Sequence, residues 1–310
     1  MLVMRRKVIK QRDSYTVTLP IKWVKAHGVD KTAEIDIEEQ NSNLVIETES
    51  KPQKKEAEIN LDSDYALFIR YIITNAYRAG YDVLKLNLKN KEQIKVIQEI
   101  IDKSLMGFEI TQIKENSCVI ESISEPSEEK SDVILRRVFL IIKASLGSIS
   151  GYINNHAKID INELDKNTIK VDQYSYFCRR NISKTHYSEK SYFQWLIYSY
   201  LVLIQHSASR MASSILENKK PSKYFEKIFS EAFSMFNNFY EGYFEKDLKK
   251  LAVIDSKGEE LLYQRVYPLF NNNKDGVALY HLAELIRLVY ITTSPTIGSF
   301  IEYNPKKQAK

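Results

Sequence analysis

The first fifty residues alternate apolar and polar positions in short runs. Tyr15-Thr16-Val17-Thr18-Leu19 is β-branched and alternating, the pattern of a half-buried strand, and Val8-Ile9 lies in a second, basic strand. Gln11-Arg12-Asp13-Ser14 supplies the turn between them. Pro20 suits the opening of a short helix, because its missing N–H and fixed φ cost nothing there. That helix is predicted from Ile21 to His27, with Gly28 as its stop. Glu34-Ile35-Asp36-Ile37-Glu38 alternates again, Gln40-Asn41-Ser42-Asn43 turns, and Leu44-Val45-Ile46 returns. The predicted order is β-β-α-β-β. A unit this small buries little surface alone, so dimerisation is the expected way to complete its core.

Lys51-Pro52-Gln53-Lys54-Lys55 has linker composition, and a second unit is predicted over 57–125. It reads as a strand at 58–61, a helix from Asp62 or Ser63 to Ala79 with Gly80 as stop, and a strand at 82–88. A helix at 91–105 follows, with Ile94, Val96, Ile97, Ile100, Ile101 and Leu105 as its apolar positions. Gly107 ends it, and strands are predicted at 108–113 and 118–123. Alternating strands and helices imply a small open α/β sandwich. After a break at 124–130 the pattern is helical throughout, with six helices at about 131–155, 159–183, 188–218, 221–250, 252–270 and 276–302. Six helices in this span suggest two stacked three-helix units. The fold class expected is multi-domain α+β, divided as 1–50, 57–125 and 130–304.

With 310 residues, 44% hydrophobic and 27% charged, the chain has globular composition, which excludes a disordered tail protein and a collagen-like fibre. Apolar runs such as 201–204 fall far short of the ~18–20 residues a bilayer requires. Arg5, Arg6 and Lys7 follow the first four residues, so a signal peptide is not expected. Two cysteines, Cys118 and Cys178, make neither a disulfide framework nor a zinc cluster by themselves; the expected compartment is the reducing cytoplasm. The net charge of +5 is unevenly spread. Residues 1–31 hold eight basic side chains against Asp13 and Asp30, a net of +6, and the remainder carries −1. Local positive charge of this kind is what a polyanion-binding surface requires, though a solvated basic strand has the same composition.

Motifs for catalysis are missing. There is no Gly-x-Gly-x-x-Gly and no P-loop; Gly147-Ser148-Ile149-Ser150-Gly151 lies in a helical pattern and lacks the Lys-Ser/Thr. His27, His156, His186, His206 and His281 form no i, i+4 pair. Glu128-Glu129 and Glu259-Glu260 read as solvated, and Cys118, in an apolar strand, as buried and inert. No enzyme activity and no cofactor are expected. Phe225, Phe229, Phe233, Phe236, Phe239 and Tyr240 share one helix, as do Tyr192, Phe193, Trp195, Tyr198 and Tyr200. Stripes at this spacing serve a core or a dimer face rather than base stacking, which would need interleaved Arg and Lys.

A resemblance sharpens this. Arg6-Lys7-Val8-Ile9-Lys10, Ser14-Tyr15-Thr16-Val17-Thr18-Leu19-Pro20-Ile21-Lys22-Trp23-Val24, Gly28-Val29, Glu34-Ile35-Asp36-Ile37 and Leu44-Val45-Ile46 resemble the AbrB/SpoVT family of DNA-binding domains. Thr32 departs from it, standing where the family usually has a turn glycine. The resemblance implies a dimer of interleaved, swapped hairpins that presents basic side chains to DNA. On that basis Arg5, Arg6, Lys7, Lys10 and Arg12 are expected to line the hairpin, with Lys22 and Lys25 flanking it on one face of the short helix. Ser14, Tyr15 and Thr16 are expected to donate to phosphates or base edges, Val17 and Leu19 to serve the core, and Trp23 to anchor the dimer core. The partners implied are double-stranded DNA and a second copy, with no membrane.

Residues 65–302 look similar to archaeal fusions of that domain with a PhoU-like helical domain. Tyr77-Arg78-Ala79-Gly80-Tyr81-Asp82, the stretch 131–146 with Arg136-Arg137, and Val171-Asp172-Gln173-Tyr174-Ser175-Tyr176-Phe177 carry this second likeness. It implies a regulator linked to phosphate uptake, with phosphate-transport or signalling proteins as further partners. Members of that family often bind metal through Glu/Asp-x-x-x-Asp pairs one helical turn apart. Here Asp172 is preceded by Thr168, the second pair falls on Val202 and His206, and Glu284 is followed by Leu288. No metal cluster is expected. Asp172 and His206 remain candidates for a single ion, against a plain hydrogen-bonded histidine within the bundle. Four readings follow: a transcription regulator, a protein- or metal-responsive regulator of phosphate transport whose head only dimerises, an antitoxin-like or chromatin-associated binder, and an enzyme.

Overall fold

The computed structural model describes residues 5–40, 43–48, 54–124, 129–155, 157–184, 190–217, 221–272 and 275–301. The predicted turn at Asn41-Ser42, the linker residues Lys51-Pro52-Gln53, the break at 125–128 and the stop at 218–220 lie outside the described residues. Contacts divide the chain into two compact units, within 1–53 and 54–302.

In the first unit, the head, β1 (Val8–Gln11) pairs with β2 (Ser14–Val17), and β3 (Asp36–Gln40) pairs with β4 (Asn43–Glu47). These are separate two-stranded antiparallel sheets. Between them lie α1 (Ile21–Ala26), opened by Pro20, and a single turn α2 (Val29–Thr32) that the alternating pattern did not announce. Gly28 takes left-handed backbone at φ 68°, as its stop role requires. The turn before β3 places Ala33, not Thr32, at φ 56°. Left-handed backbone costs a residue with a Cβ about 1 kcal/mol that glycine avoids. Ala33→Gly is therefore expected to stabilise the head by about 1 kcal/mol, measured as slower hydrogen exchange of the amides from α2 into β3.

The second unit begins with a four-stranded sheet and two helices: β5 (Glu56–Leu61), α3 (Ala66–Arg78), β6 (Val83–Leu88), α4 (Gln93–Ser104), β7 (Phe108–Lys114) and β8 (Ser117–Ser122). The strand order is β5-β6-β8-β7, with β5 parallel to β6 and the other pairs antiparallel. Alternation sends Leu84, Leu86, Cys118 and Ile120 into one core with Ile69, Ile73, Ile97 and Ile101 of the helices. Lys85 and Asn87 face the other way and bond to Glu56 and to Glu58 and Asn60 across the strands. Gly107 turns the chain into β7 at φ 74°, and a Cβ there would meet the Ser124 carbonyl oxygen at 2.5 Å. Gly107→Ala combines that clash with left-handed backbone. It is expected to cost about 2 kcal/mol or more, read from the urea midpoint.

Six long helices follow: α5 (Glu129–Asn155), α6 (Ile161–Lys184), α7 (Lys190–Glu217), α8 (Lys223–Glu245), α9 (Leu248–Glu259) and α10 (Gly276–Phe300). A wide π-helical turn, Glu260–Val266, and a tight 3-10 stretch, Tyr267–Asn272, extend α9 towards α10. The chain is thus α+β, a small β-rich head followed by a largely helical unit. One apolar core spans all six helices, joining Phe139, Phe177 and Leu201 to Phe236, Leu251 and Leu282. Phe225, Phe229, Phe236 and Phe239 are fully buried, so this stripe is core, as its spacing predicts. In the α7 stripe Tyr198 is buried but Tyr192 is exposed. Among the described residues no helix is long and apolar enough to cross a membrane.

The sheet layer is locked to the bundle by α6. Arg180, 1% exposed, lies over the rings of Tyr77 and Phe108 and donates to the Tyr77 carbonyl at 3.2 Å, the Tyr81 carbonyl at 2.6 Å and Asp82 Oδ1 at 2.6 Å. Lys184 Nζ donates to the same Asp82 oxygen at 2.6 Å, and the Lys55 N–H to the other at 2.9 Å. Burial pushes the Asp82 carboxyl up. The Lys184 hydrogen bond, the Lys55 N–H and the Lys184 and Arg180 charges outweigh it and hold the carboxyl below its ordinary range. Two of the stretches that carry the second likeness, 77–82 and 171–177, therefore flank this joint. In the third stretch Arg136 lies over the Phe244 ring and donates to the Tyr240 hydroxyl at 3.1 Å.

Candidate nucleic-acid interface

Arg12 and Asp13 form a two-residue loop between β1 and β2, with Arg12 at φ 53°. The Ser14 hydroxyl donates to the Gln11 carbonyl at 3.0 Å and steadies the turn. The register sets Val8 opposite Val17, Ile9 opposite Thr16, Lys10 opposite Tyr15 and Gln11 opposite Ser14. Because strand side chains alternate, Val8, Lys10, Tyr15 and Val17 share one face, and Ile9, Gln11, Ser14 and Thr16 the other. The candidates are thus divided: Lys10 and Tyr15 come together, while Ser14 and Thr16 project from the reverse side. Arg5, Arg6 and Lys7 lead into β1, and every residue from 5 to 18 is exposed. Lys22 and Lys25 are exposed on α1, three apart and so on one side of it.

Arg5, Arg6, Lys7, Lys10, Arg12, Lys22 and Lys25 take part in no ion pair among the described residues. The head is also uncovered on its apolar side chains. Among the described residues of the head only Val29 is buried; Val8, Ile9, Val17, Ile21, Ile37 and Leu44 are exposed, Leu44 by 69%. Val17, expected in the core, is therefore exposed in the single chain, and Leu19 is half-buried. Trp23 is half-buried too, its ring 5.0 Å from that of His27. The β3–β4 register places Ile37 opposite Ile46 and Leu44 opposite Glu39, so Ile37, Leu44 and Ile46 lie on one face of that hairpin.

The candidate metal residues sit in the bundle. Asp172 Oδ1 is 3.0 Å from His206 Nε2, and Oδ2 accepts from Arg70 Nη2 at 3.0 Å. Thr168 donates to the Leu164 carbonyl and accepts from Gln205 Nε2 at 3.2 Å. Glu284 Oε2 accepts from Ser207 at 2.6 Å and meets His281 Nδ1 at 3.2 Å. Among the described residues no group of three or more His, Cys, Asp or Glu side chains is placed to hold a metal ion. Cys118 and Cys178 are buried free thiols, pushed up by burial to about 11 and about 12.

Residues 8–57 match the family model described as antidote-toxin recognition MazE, bacterial antitoxin. The match covers the head from β1 onward and ends two residues into β5. No curated protein and no solved structure matches the chain. The N-terminal region is thus similar to MazE/AbrB-type, antitoxin-like domains, a likeness compatible with a DNA-binding regulator.

Proposed function

We propose that this protein is a transcription regulator that binds double-stranded DNA as a homodimer through its head, while the helical unit senses a signal or contacts a partner in phosphate-uptake control. The observation that carries the DNA reading is the coincidence, in one small domain, of an exposed, unpaired basic set with an uncovered apolar set. The apolar residues need a second copy to leave water. The basic residues suit a polyanion: pairing two heads brings together two 1–31 segments of net +6 each, while the acidic side chains from Glu34 to Glu49 lie in the second hairpin and the residues leading into and out of it. Phosphate contacts supply affinity through counterion release, and Arg5, Arg6 and Arg12 are the better specificity candidates, because arginine can bond bidentately to guanine. The phosphate link rests on the likeness of residues 65–302 alone. The reading assigns no catalytic step and no resident cofactor.

A second reading is favoured by the description of the matched family: an antitoxin-like binder that shares the head but not the phosphate role. Mapping the promoters the protein occupies in cells separates the two. Occupancy at phosphate-transport genes supports the first. Occupancy confined to its own promoter, with a small protein co-purifying in fixed ratio, supports the second.

A further inference from the structure

Buried arginines in folded proteins are normally matched by a carboxylate, because an unpaired charge out of water is costly. The second unit breaks this rule where α3, α6 and α7 meet. Arg78 of α3 and Arg179 of α6 both lie over the Tyr176 ring, 5.0 and 5.3 Å from its centroid. Arg179 is 5% exposed, lies over Trp195 as well, and donates only to neutral oxygens: the Ser175 carbonyl at 3.2 Å and Ser199 Oγ at 3.1 Å. Arg78 likewise donates to the Thr74 carbonyl at 3.2 Å and Asn75 Oδ1 at 2.6 Å. Asp172 is the nearby carboxylate, and both its oxygens are already engaged by Arg70 and His206. Ser175, one helical turn before Arg179, is fully buried, and its hydroxyl finds no partner among the described residues. Burial, and then the Arg78 charge, push Arg179 down to about 10; the Asp172 charge opposes this without outweighing it.

We propose that Arg78 and Arg179 form an anion-binding site in the second unit, taking a small, multiply charged oxyanion of the phosphate class. Guanidinium forks match phosphate oxygens bidentately, the aromatic rings fix the forks in place, Ser199 offers a hydroxyl at 3.1 Å from Arg179, and the unpartnered Ser175 hydroxyl lies on the residue whose carbonyl Arg179 holds. Arg78 is only partly buried, which leaves the site an approach from solvent. The site belongs to the second unit alone, so it stands whether or not the head binds DNA.

The test is thermal unfolding of the full chain with inorganic phosphate, pyrophosphate or adenosine monophosphate, against sodium chloride at matched ionic strength. A rise in the midpoint that grows with the logarithm of ligand concentration is expected, about 5–10 °C at a hundredfold excess over Kd for a unit this size. Arg78→Gln is expected to abolish the rise while melting no lower than wild type without ligand, because it relieves the repulsion. A head variant, Lys10→Ala with Arg12→Ala, is expected to keep the rise. A response to inorganic phosphate identifies the free ion as sufficient, and a response to the nucleotide alone identifies a phosphate ester. No rise beyond chloride, a rise unchanged in Arg78→Gln, or a rise lost only in the head variant would each overturn the proposal.

Discussion

Asp82→Ala is expected to destabilise the second unit by about 3–5 kcal/mol, measured by urea unfolding at 25 °C. The cause is the charge left behind. Arg180 is 1% exposed and donates to Asp82 Oδ1 at 2.6 Å, with that carboxylate 9% exposed. Removing one member of a buried pair leaves the other uncompensated, which is where costs of this size arise. Lys184 is the control. Its side chain is 24% exposed and can return to water, so Lys184→Ala should cost about 1 kcal/mol or less. Removing both charges, as Asp82→Asn with Arg180→Met, should cost less than the sum of the single changes, because neither partner is then stranded. The joint also has a pH signature. A carboxyl held low in the folded chain stabilises it fully above the unfolded value, near pH ~3.9, and that stability is lost as pH falls through the folded value. Wild type should therefore weaken on the acid side below pH ~4, and the Asp82 variants should lack that component.

Ile37→Asp combined with Leu44→Asp is expected to turn the dimer into a monomer and to lower affinity for duplex DNA by about 10²–10⁴-fold. Both side chains are exposed in the single chain, by 59% and 69%, and share one face of the β3–β4 hairpin. Burying two such side chains per copy contributes several kcal/mol to pairing, at ~1.5–3 kcal/mol each. A carboxylate at either position would have to be desolvated instead. The DNA effect follows from valency: two linked basic heads bind far better than one. Sedimentation reads the assembly state, and fluorescence anisotropy with a labelled duplex reads affinity. Because the two aspartates also lower the charge of each head by two, Ile37→Asn with Leu44→Asn is the neutral control, expected to lose pairing and DNA affinity alike.

The elements were legible where one physical signal dominated. Alternation placed β5 to β8, and apolar spacing placed five of the six helices to within about five residues, because each buries a continuous stripe; the fifth, expected over 252–270, is α-helical only over Leu248–Glu259. The α9–α10 connection was less legible. The π-helical turn at Glu260–Val266 keeps apolar residues near helical spacing while widening the ring, so periodicity does not register it. In the head, the turn residue at left-handed backbone was misplaced by one, because neither Thr32 nor Ala33 carries the glycine signal. The basic set was visible as composition, but its division between two faces needed the hairpin register. The buried arginines were invisible for another reason. Arg179 and Arg180 read as two exposed cations in a helix, and only the packing of α3 and the sheet against α6 takes them out of water.

The most direct test of the account is the salt dependence of duplex binding by the full chain. Half of the twelve net positive charges on the two 1–31 segments of a dimer meeting phosphates would give a slope of log K against log [salt] of about −5. Arg12→Ala would remove up to two contacts per dimer and flatten the slope by up to ~1.8. A flat salt response, or no binding of any duplex even at low salt by a protein that is dimeric in solution, would contradict it.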